Sequence, residues 1–247
     1  MRKLIMILLT GLINVNVWAT SCNYNFNATQ PQLGTQRQNF PIHINQKVGF
    51  NITDSTLTKT YTAFSKEFLE SNSNKVTIGD KNVPKKGIFA FEVDIIAPQL
   101  PMSGSDSGYF LPFIIYVTAN GVETGRYYIS YINNFVSFPN SNNIILDFGS
   151  ENIAIIPASK SNIKLGFYFD QTTKNINYIV DGINKGVLAK MEGEFNEIAF
   201  GIDGGQSEVQ LNSNSIGKQF TIELVTDYTK MTQSYPIGTK DICGNII

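Results

Sequence analysis

Apolar residues recur at every second position through most of this 247-residue chain. In residues 88–96 the odd positions are all apolar, while two of the even positions are the acids Glu92 and Asp94. This period of two is typical of a strand with one buried face and one wetter face. It predicts strands over the following stretches: residues 88–96, 110–117, 126–132, 144–148, 163–170, 175–181, 196–202 and 219–226. We therefore expect an all-β, two-sheet antiparallel β-sandwich.

Only one stretch carries a helical pattern. In residues 61–70, Phe64 and Phe68 lie four positions apart, which predicts a short helix. Glycine, proline, asparagine and serine predict loops at residues 98–108, 139–143 and 203–206. No internal repeat or interdomain linker interrupts the pattern, so we expect a signal peptide over residues 1–19 and a single sandwich domain over residues 20–247.

The N-terminus has the order of regions that an export signal requires. Arg2 and Lys3 precede an apolar run over residues 4–13, and Ala19 offers the small residue at which a signal peptidase cleaves. The run is about ten residues long, against the roughly 20 that a membrane-spanning helix needs. The sequence thus predicts an exported protein, periplasmic or secreted, with no transmembrane segment.

Cys22 and Cys243 are the two cysteines of the chain, and they lie near its two ends. In an oxidising compartment such a pair tends to form a disulfide. The stretch 19–22 also has some likeness to a lipoprotein signal, in which Cys22 would carry lipid. The two interpretations exclude each other, because an acylated Cys22 cannot pair with Cys243.

Composition narrows the function classes. Removal of residues 1–19 leaves 17 lysines and arginines against 20 acids, and only Arg37 and Arg126 remain as arginines. Such a chain has no basic face for a phosphate backbone, so we expect no nucleic-acid partner. The single histidine, His43, excludes a multi-histidine zinc site. The glycine-containing loops predicted at residues 98–108 and 203–206 both lack the acidic spacing of a calcium site. We predict no metal and no cofactor.

One segment carries a resemblance to a known superfamily. Residues 164–170 read KLGFYFD, and after a turn the chain returns as YIVDG over residues 178–182. This resembles the hairpin of concanavalin A-like jelly rolls, the superfamily of lectins, laminin-G domains and glucanases. The chain as a whole is similar to an uncharacterised family of exported Gram-negative bacterial proteins. The resemblance implies a jelly-roll sandwich and a glycan as ligand.

Glycosidases of that superfamily carry two glutamates on one strand, four or five positions apart, as nucleophile and acid/base. Here Glu92 and Asp94 begin such a motif, but Ile96 or Ala97 stands where the second glutamate is required. We therefore expect no catalytic residue. We name Glu92, Asp94, Tyr109 and Tyr127 as candidate ligand-binding residues, since carboxylates and aromatic faces both suit sugars.

Three functions agree with these observations. The first is a non-enzymatic exported sandwich that binds a glycan or another cell-envelope component. The second is a glycan hydrolase with rearranged catalytic acids, and the third is a structural or adhesive surface protein. Fold resemblance carries architecture better than function, so the sequence leaves this choice open.

Overall fold

The computed structural model describes the following residues: 21–35, 37–74, 79–98, 110–135, 138–149 and 153–247. In chain order its elements are α1 (Gln30–Leu33), β1 (Gln38–Asn39), β2 (Ile42–Ile44), β3 (Lys47–Asn51), β4 (Lys59–Phe64), α2 (Lys66–Asn74), β5 (Lys81–Asn82), β6 (Ile88–Ile96), β7 (Phe110–Ala119), β8 (Val122–Phe135), β9 (Phe138–Asp147), β10 (Ile153–Pro157), β11 (Asn162–Asp170), β12 (Asn175–Val180), β13 (Ile183–Lys190), β14 (Glu197–Gln206), β15 (Gln219–Val225) and β16 (Lys240–Asp241).

The strands form two sheets, which confirms the predicted two-sheet β-sandwich. The first sheet has the order β1-β4-β14-β7-β8-β9-β10, with β5 beside β14. The second has the order β13-β12-β11-β6-β15-β3-β2, with β16 beside β6. Neighbouring strands are antiparallel except in the pairs β1–β4 and β16–β6. Neither helix among the described residues is long and apolar enough to cross a membrane.

A layer of phenylalanine rings fills the space between the sheets. Phe89 stacks on Phe169 across the β6–β11 pair, with ring centroids 5.1 Å apart, and Phe91 meets Phe200 of the first sheet edge to face at 5.0 Å. These four side chains are fully buried, because every second residue of each strand points inwards. The period-2 pattern thus identified the buried face of the strands correctly.

The helix prediction for residues 61–70 is half wrong. The first part of the stretch belongs to β4, which pairs with β14 along its whole length, and the helix α2 begins only at Lys66. Ser65 stands at the boundary, where its Oγ accepts a hydrogen bond from the Phe68 N–H at 2.9 Å. Such an N-terminal cap ends the strand and starts the helix.

Two predicted loops are strands. Residues 139–143 lie within β9, and residues 203–206 lie within β14, which runs on to Gln206 because β4 pairs with it as far as Lys59. Pairing partners on either side of β14 supply the hydrogen bonds that a glycine-rich stretch would otherwise make in a turn. The loop predicted at residues 98–108 lies, apart from Pro98, outside the described residues.

The predicted disulfide between Cys22 and Cys243 is present, with their Cα atoms 5.7 Å apart. It ties an extended N-terminal segment to the second sheet, and buried and exposed side chains alternate along that segment. Tyr24 and Phe26 enter the core between the sheets. Because the sulfur of Cys22 is bonded to Cys243, it is not available for lipid. The predicted signal peptide lies outside the described residues and stays a prediction.

Candidate binding groove

The outer face of the first sheet carries a second apolar cluster, separate from the main core. Successive residues of β14 point to opposite faces of the sheet. Phe200 and Ile202 point into the core, so Gly201 and Asp203 face outwards. Both helices cover part of this face. The side chains of the outer cluster come from the sheet, from the helices and from the N-terminal segment before α1: Ala28, Leu33, Phe64, Phe68, Ile114, Tyr116 and Ala199.

Three aromatic rings of this cluster form one continuous stack. Phe64 stacks on Phe68 at 5.3 Å between centroids, and Phe68 meets Tyr116 at 4.8 Å. An arginine closes each end, since the Arg37 guanidinium lies 5.8 Å from the Phe64 centroid and that of Arg126 lies 5.0 Å from the Tyr116 centroid. Cations at such distances are attracted to the negative face of a ring. The stack therefore fixes both guanidinium groups on the outer face.

Gly201 makes room for the stack. A Cβ atom at this position would lie 2.1 Å from Cε1 of Phe64, so the ring rests directly on the backbone of β14. Any side chain here would push Phe64 away from the sheet. The glycine that looks like part of a loop in the sequence thus serves close packing of a ring on a strand.

Two cavities open on this face, and together they form what we call the outer groove. The smaller, of about 210 Å³, is lined by the ring stack and its two arginines, together with Glu123 and Asp203. The larger, of about 490 Å³, runs along the β4–β14 pair past Lys59. Arg37 and Asp203 line both cavities. These two charged residues therefore stand where the two cavities adjoin.

The charges of the outer groove are held in defined positions. Arg126 forms two parallel hydrogen bonds to Glu123, each of 2.9 Å, and these bonds raise the pKa of the guanidinium above its ordinary value. Burial raises the pKa of Tyr116 to about 12, so its hydroxyl stays protonated at neutral pH. The Asp203 carboxylate accepts a hydrogen bond from the Thr62 hydroxyl on the neighbouring strand. These side chains are thus oriented before any ligand binds.

Glu92 lies on the opposite side of the sandwich, on the outer face of the second sheet, and only 1% of it is exposed. The C-terminal segment, residues 227–247, covers it. Its carboxylate accepts hydrogen bonds from the N–H groups of Thr232 and Gln233, at 2.8 and 2.7 Å, and from the Tyr235 hydroxyl at 3.2 Å. Burial raises the pKa of Glu92, and these hydrogen bonds oppose the rise. Its oxygens are therefore occupied by the chain itself.

The other predicted site residues are not brought together. Asp94 is half-buried two positions after Glu92 and lies 3.5 Å from Lys164 Nζ; burial raises its pKa. Tyr127 points into the core, where it stacks on Phe148 at 4.9 Å and burial raises its pKa to about 12. Tyr109 lies outside the described residues.

A second cleft lies at the start of α2. Two small cavities, of about 240 and 210 Å³, share Glu67, Asp80 and Lys81 in their walls. One carboxylate oxygen of Asp80 accepts hydrogen bonds from the hydroxyls of Tyr24, at 2.9 Å, and of Ser65, while its other oxygen is buried without a partner. Burial raises the pKa of Asp80 to about 6. The fold thus keeps a carboxyl group that titrates close to neutrality.

Within the part of the chain that the structure describes, one group of side chains has the composition of a metal site, namely Cys22, Asp241 and Cys243. Both sulfurs are bonded to each other. The Asp241 carboxylate accepts hydrogen bonds from the N–H groups of Cys243 and Asn245, each of 2.9 Å. This group is therefore a turn that supports the disulfide and does not offer a set of metal ligands.

The order of strands and the core between the sheets define a two-sheet, largely antiparallel β-sandwich. By its sequence, the chain belongs to the family described as domain of unknown function DUF4882, whose model matches residues 5–245. No match is found among curated protein sequences.

Solved structures of similar fold include lectins and glycan-active enzymes. Lectin UEA-II complexed with galactose is 12% identical, with a TM-score of 0.44 over 72% of this chain and 86% of the lectin. The endo-1,3-beta-glucanase of Streptomyces sioyaensis is 10% identical, with a TM-score of 0.43 over 76% of this chain and 77% of the enzyme. The PL7 alginate lyase AlyA1 of Zobellia galactanivorans is 13% identical, with a TM-score of 0.40 over 75% and 82%. At these identities the likeness concerns the fold alone.

Proposed function

We propose that this protein is an exported, non-enzymatic β-sandwich that binds a glycan or another cell-envelope component in the outer groove. The observation that carries the proposal is the larger cavity on the β4–β14 pair. Its volume of about 490 Å³ falls within the usual range of ligand pockets, about 300–1,000 Å³. Export is supported by the disulfide, since such bonds persist in oxidising compartments.

The lining of this cavity suits a sugar. Two exposed threonines of one segment, Thr58 and Thr60, line it, whereas the buried Thr62 and Gln206 are bonded to Asp203 and to the Thr53 backbone. Hydroxyl groups both donate and accept hydrogen bonds, as the hydroxyl groups of a saccharide also do. The ring stack keeps the neighbouring arginine in place, which lowers the entropy lost when a ligand is bound.

A glycan array probed with the mature protein tests the proposal, followed by titration of the glycans that bind. Asp203→Asn removes the carboxylate that both cavities share, and we expect it to change the affinity of a ligand in the groove about tenfold, downwards for a neutral glycan that donates to its oxygens and upwards for an anionic one that they repel. Glu192→Gln changes an exposed acid outside the groove and serves as the matched control. Equal affinity in both variants would place the ligand elsewhere, and an empty array would refute glycan binding.

The second candidate is a glycan hydrolase that uses the cleft at the start of α2. The observation that favours it is Asp80, whose pKa of about 6 suits a general acid, beside the second carboxylate of Glu67. We rank it second because the free oxygen of Asp80 is closed to solvent. Turnover of reporter glycosides that disappears in both Asp80→Asn and Glu67→Gln would establish it, whereas activity retained in either variant would exclude this pair.

A further inference from the structure

The outer groove carries more positive than negative charge, although the whole chain has a formal net charge of −1. Three cations line its two cavities, namely Arg37, Lys59 and Arg126, against two carboxylates, those of Glu123 and Asp203. A local excess of positive charge attracts ligands of negative charge.

The cations differ in what already neutralises them. Arg126 is paired with Glu123 through two hydrogen bonds of 2.9 Å, so this pair adds no net charge. Among the described residues, no carboxylate lies within 4.0 Å of Arg37 or of Lys59 Nζ. The Arg37 guanidinium packs on the Phe64 ring, and Lys59 Nζ donates to the Thr53 hydroxyl at 2.7 Å. Two cations therefore face the larger cavity with Asp203 as the one opposing charge among its described lining residues.

The guanidinium of Arg37 narrows the kind of anion that fits. Arg37 stands at the junction of the two cavities, because it lines both. A guanidinium is a planar fork of donors that matches two oxygens of one carboxylate or phosphate group, while the lysine ammonium is a point charge that accepts any geometry. The exposed hydroxyl groups of Thr58 and Thr60 line the larger cavity and suit the neutral hydroxyl groups of a saccharide. The cavity thus places donors for such an anion beside groups that suit a polyhydroxylated chain.

We infer that the ligand of the outer groove is an acidic saccharide, with the carboxylate of a hexuronate unit bound by Arg37 and Lys59. This inference rests on the proposed function and narrows it from glycans in general to those that carry carboxylates. It assigns charge selectivity to these two side chains and leaves hydrogen bonding of the neutral hydroxyl groups to the threonines.

The test uses matched oligosaccharides that differ only in the charge of the carboxylate. Oligogalacturonates and oligomannuronates are each titrated beside their methyl esters, by calorimetry at low and at physiological salt. We expect the acidic form of at least one pair to bind about tenfold or more tightly than its ester. The difference should narrow as salt rises, because exposed charges are screened.

Variants assign the preference to its residues. Arg37→Gln and Lys59→Gln should each weaken binding of the acidic form about tenfold and leave binding of the ester unchanged. Lys190→Gln removes an exposed cation on the edge strand of the second sheet and should change neither. Thermal unfolding of each variant verifies that it is folded.

The outcomes separate the inference from the proposed function. Equal affinity for acid and ester, or binding of neutral glycans only, overturns the inference and leaves glycan binding intact. An acidic preference that survives in both Arg37→Gln and Lys59→Gln also overturns it, because the carboxylate is then bound elsewhere. Binding of no oligosaccharide here and of none on the glycan array refutes both.

Discussion

Arg37 and Arg126 cap opposite ends of a single stack of three aromatic rings on the outer face of the first sheet. Arg37 comes from the segment before β1, and Arg126 comes from the first half of β8. Their separation in space is set by the rings between them. One of the two is paired with a carboxylate and the other is not, so the stack divides the groove into a neutral end and a charged end.

Gly201 offers the sharpest test of this arrangement. We expect Gly201→Ala to displace Phe64, because the new Cβ would lie 2.1 Å from the ring, and to destabilise the protein by about 1–3 kcal/mol. Urea unfolding measures the loss. Gly193→Ala is the control, since no atom lies within 4 Å of its added Cβ, and it should be neutral or slightly stabilising. If the two variants are equally stable, the ring does not rest on the strand as described.

Glu92 should hold the C-terminal segment in place. Glu92→Gln removes the charge and one of the two acceptor oxygens, and we expect a loss of about 1–3 kcal/mol because buried donors lose their partner. Hydrogen exchange at the amides of Thr232 and Gln233 should become faster than in the unmodified protein. Glu223→Gln, which removes only an exposed ion pair with Lys47, should cost less than about 1 kcal/mol. Unchanged exchange at both amides would contradict this assignment.

Asp80 should make stability depend on pH. Its pKa is raised from 3.8 to about 6 in the folded state, so protonation favours the folded protein. The contribution is fully present below about pH 4 and is lost as pH rises through 6; a pKa change of this size corresponds to about 3 kcal/mol. The unmodified protein loses this contribution between pH 4 and pH 7, and Asp80→Asn does not. The free energy of unfolding at pH 7, measured relative to that at pH 4, should therefore be higher in the variant by about that amount. A profile identical to that of the unmodified protein would mean that Asp80 does not titrate there.

The disulfide should contribute most of its effect through the unfolded chain. Cys22 and Cys243 close a loop with a sequence separation of 221, for which chain entropy predicts about 5 kcal/mol. Reduction should therefore lower the midpoint of urea unfolding by a large margin. The double variant Cys22→Ala, Cys243→Ala should start at the lower midpoint and show no response to reductant. A response in that variant would point to an effect unrelated to the bond.

The strands were predictable from the sequence because burial on one face imposes a period of two. The prediction for β6 matches the strand at both ends, and that for β11 differs by one residue. The stretch around Phe64 and Phe68 misled the prediction. A spacing of four suits one helix face, but the two rings meet here because the chain turns at Ser65 between a strand and a helix.

The outer groove was not predictable in the same way. Arg37 and Asp203 line the same two cavities only because β4 pairs with β14, and such pairing between distant segments leaves no mark in a single sequence. Asp203 also stood in a glycine-rich stretch that indicated a loop. One signal for the groove was available in the sequence. Only two arginines follow residue 20, Arg37 and Arg126, and both reach this face. For Glu92, the pattern identified a polar residue on the wetter face but not the segment that covers it.

The covalent link between Cys22 and Cys243 also determines how the sandwich responds to mechanical load. Nearly all of the described residues lie inside the closed loop. A pulling force applied to the chain outside the two cysteines passes directly from one sulfur to the other and does not act on the hydrogen bonds of the sheets. In the oxidised protein, the two sheets and the outer groove are therefore shielded from tension.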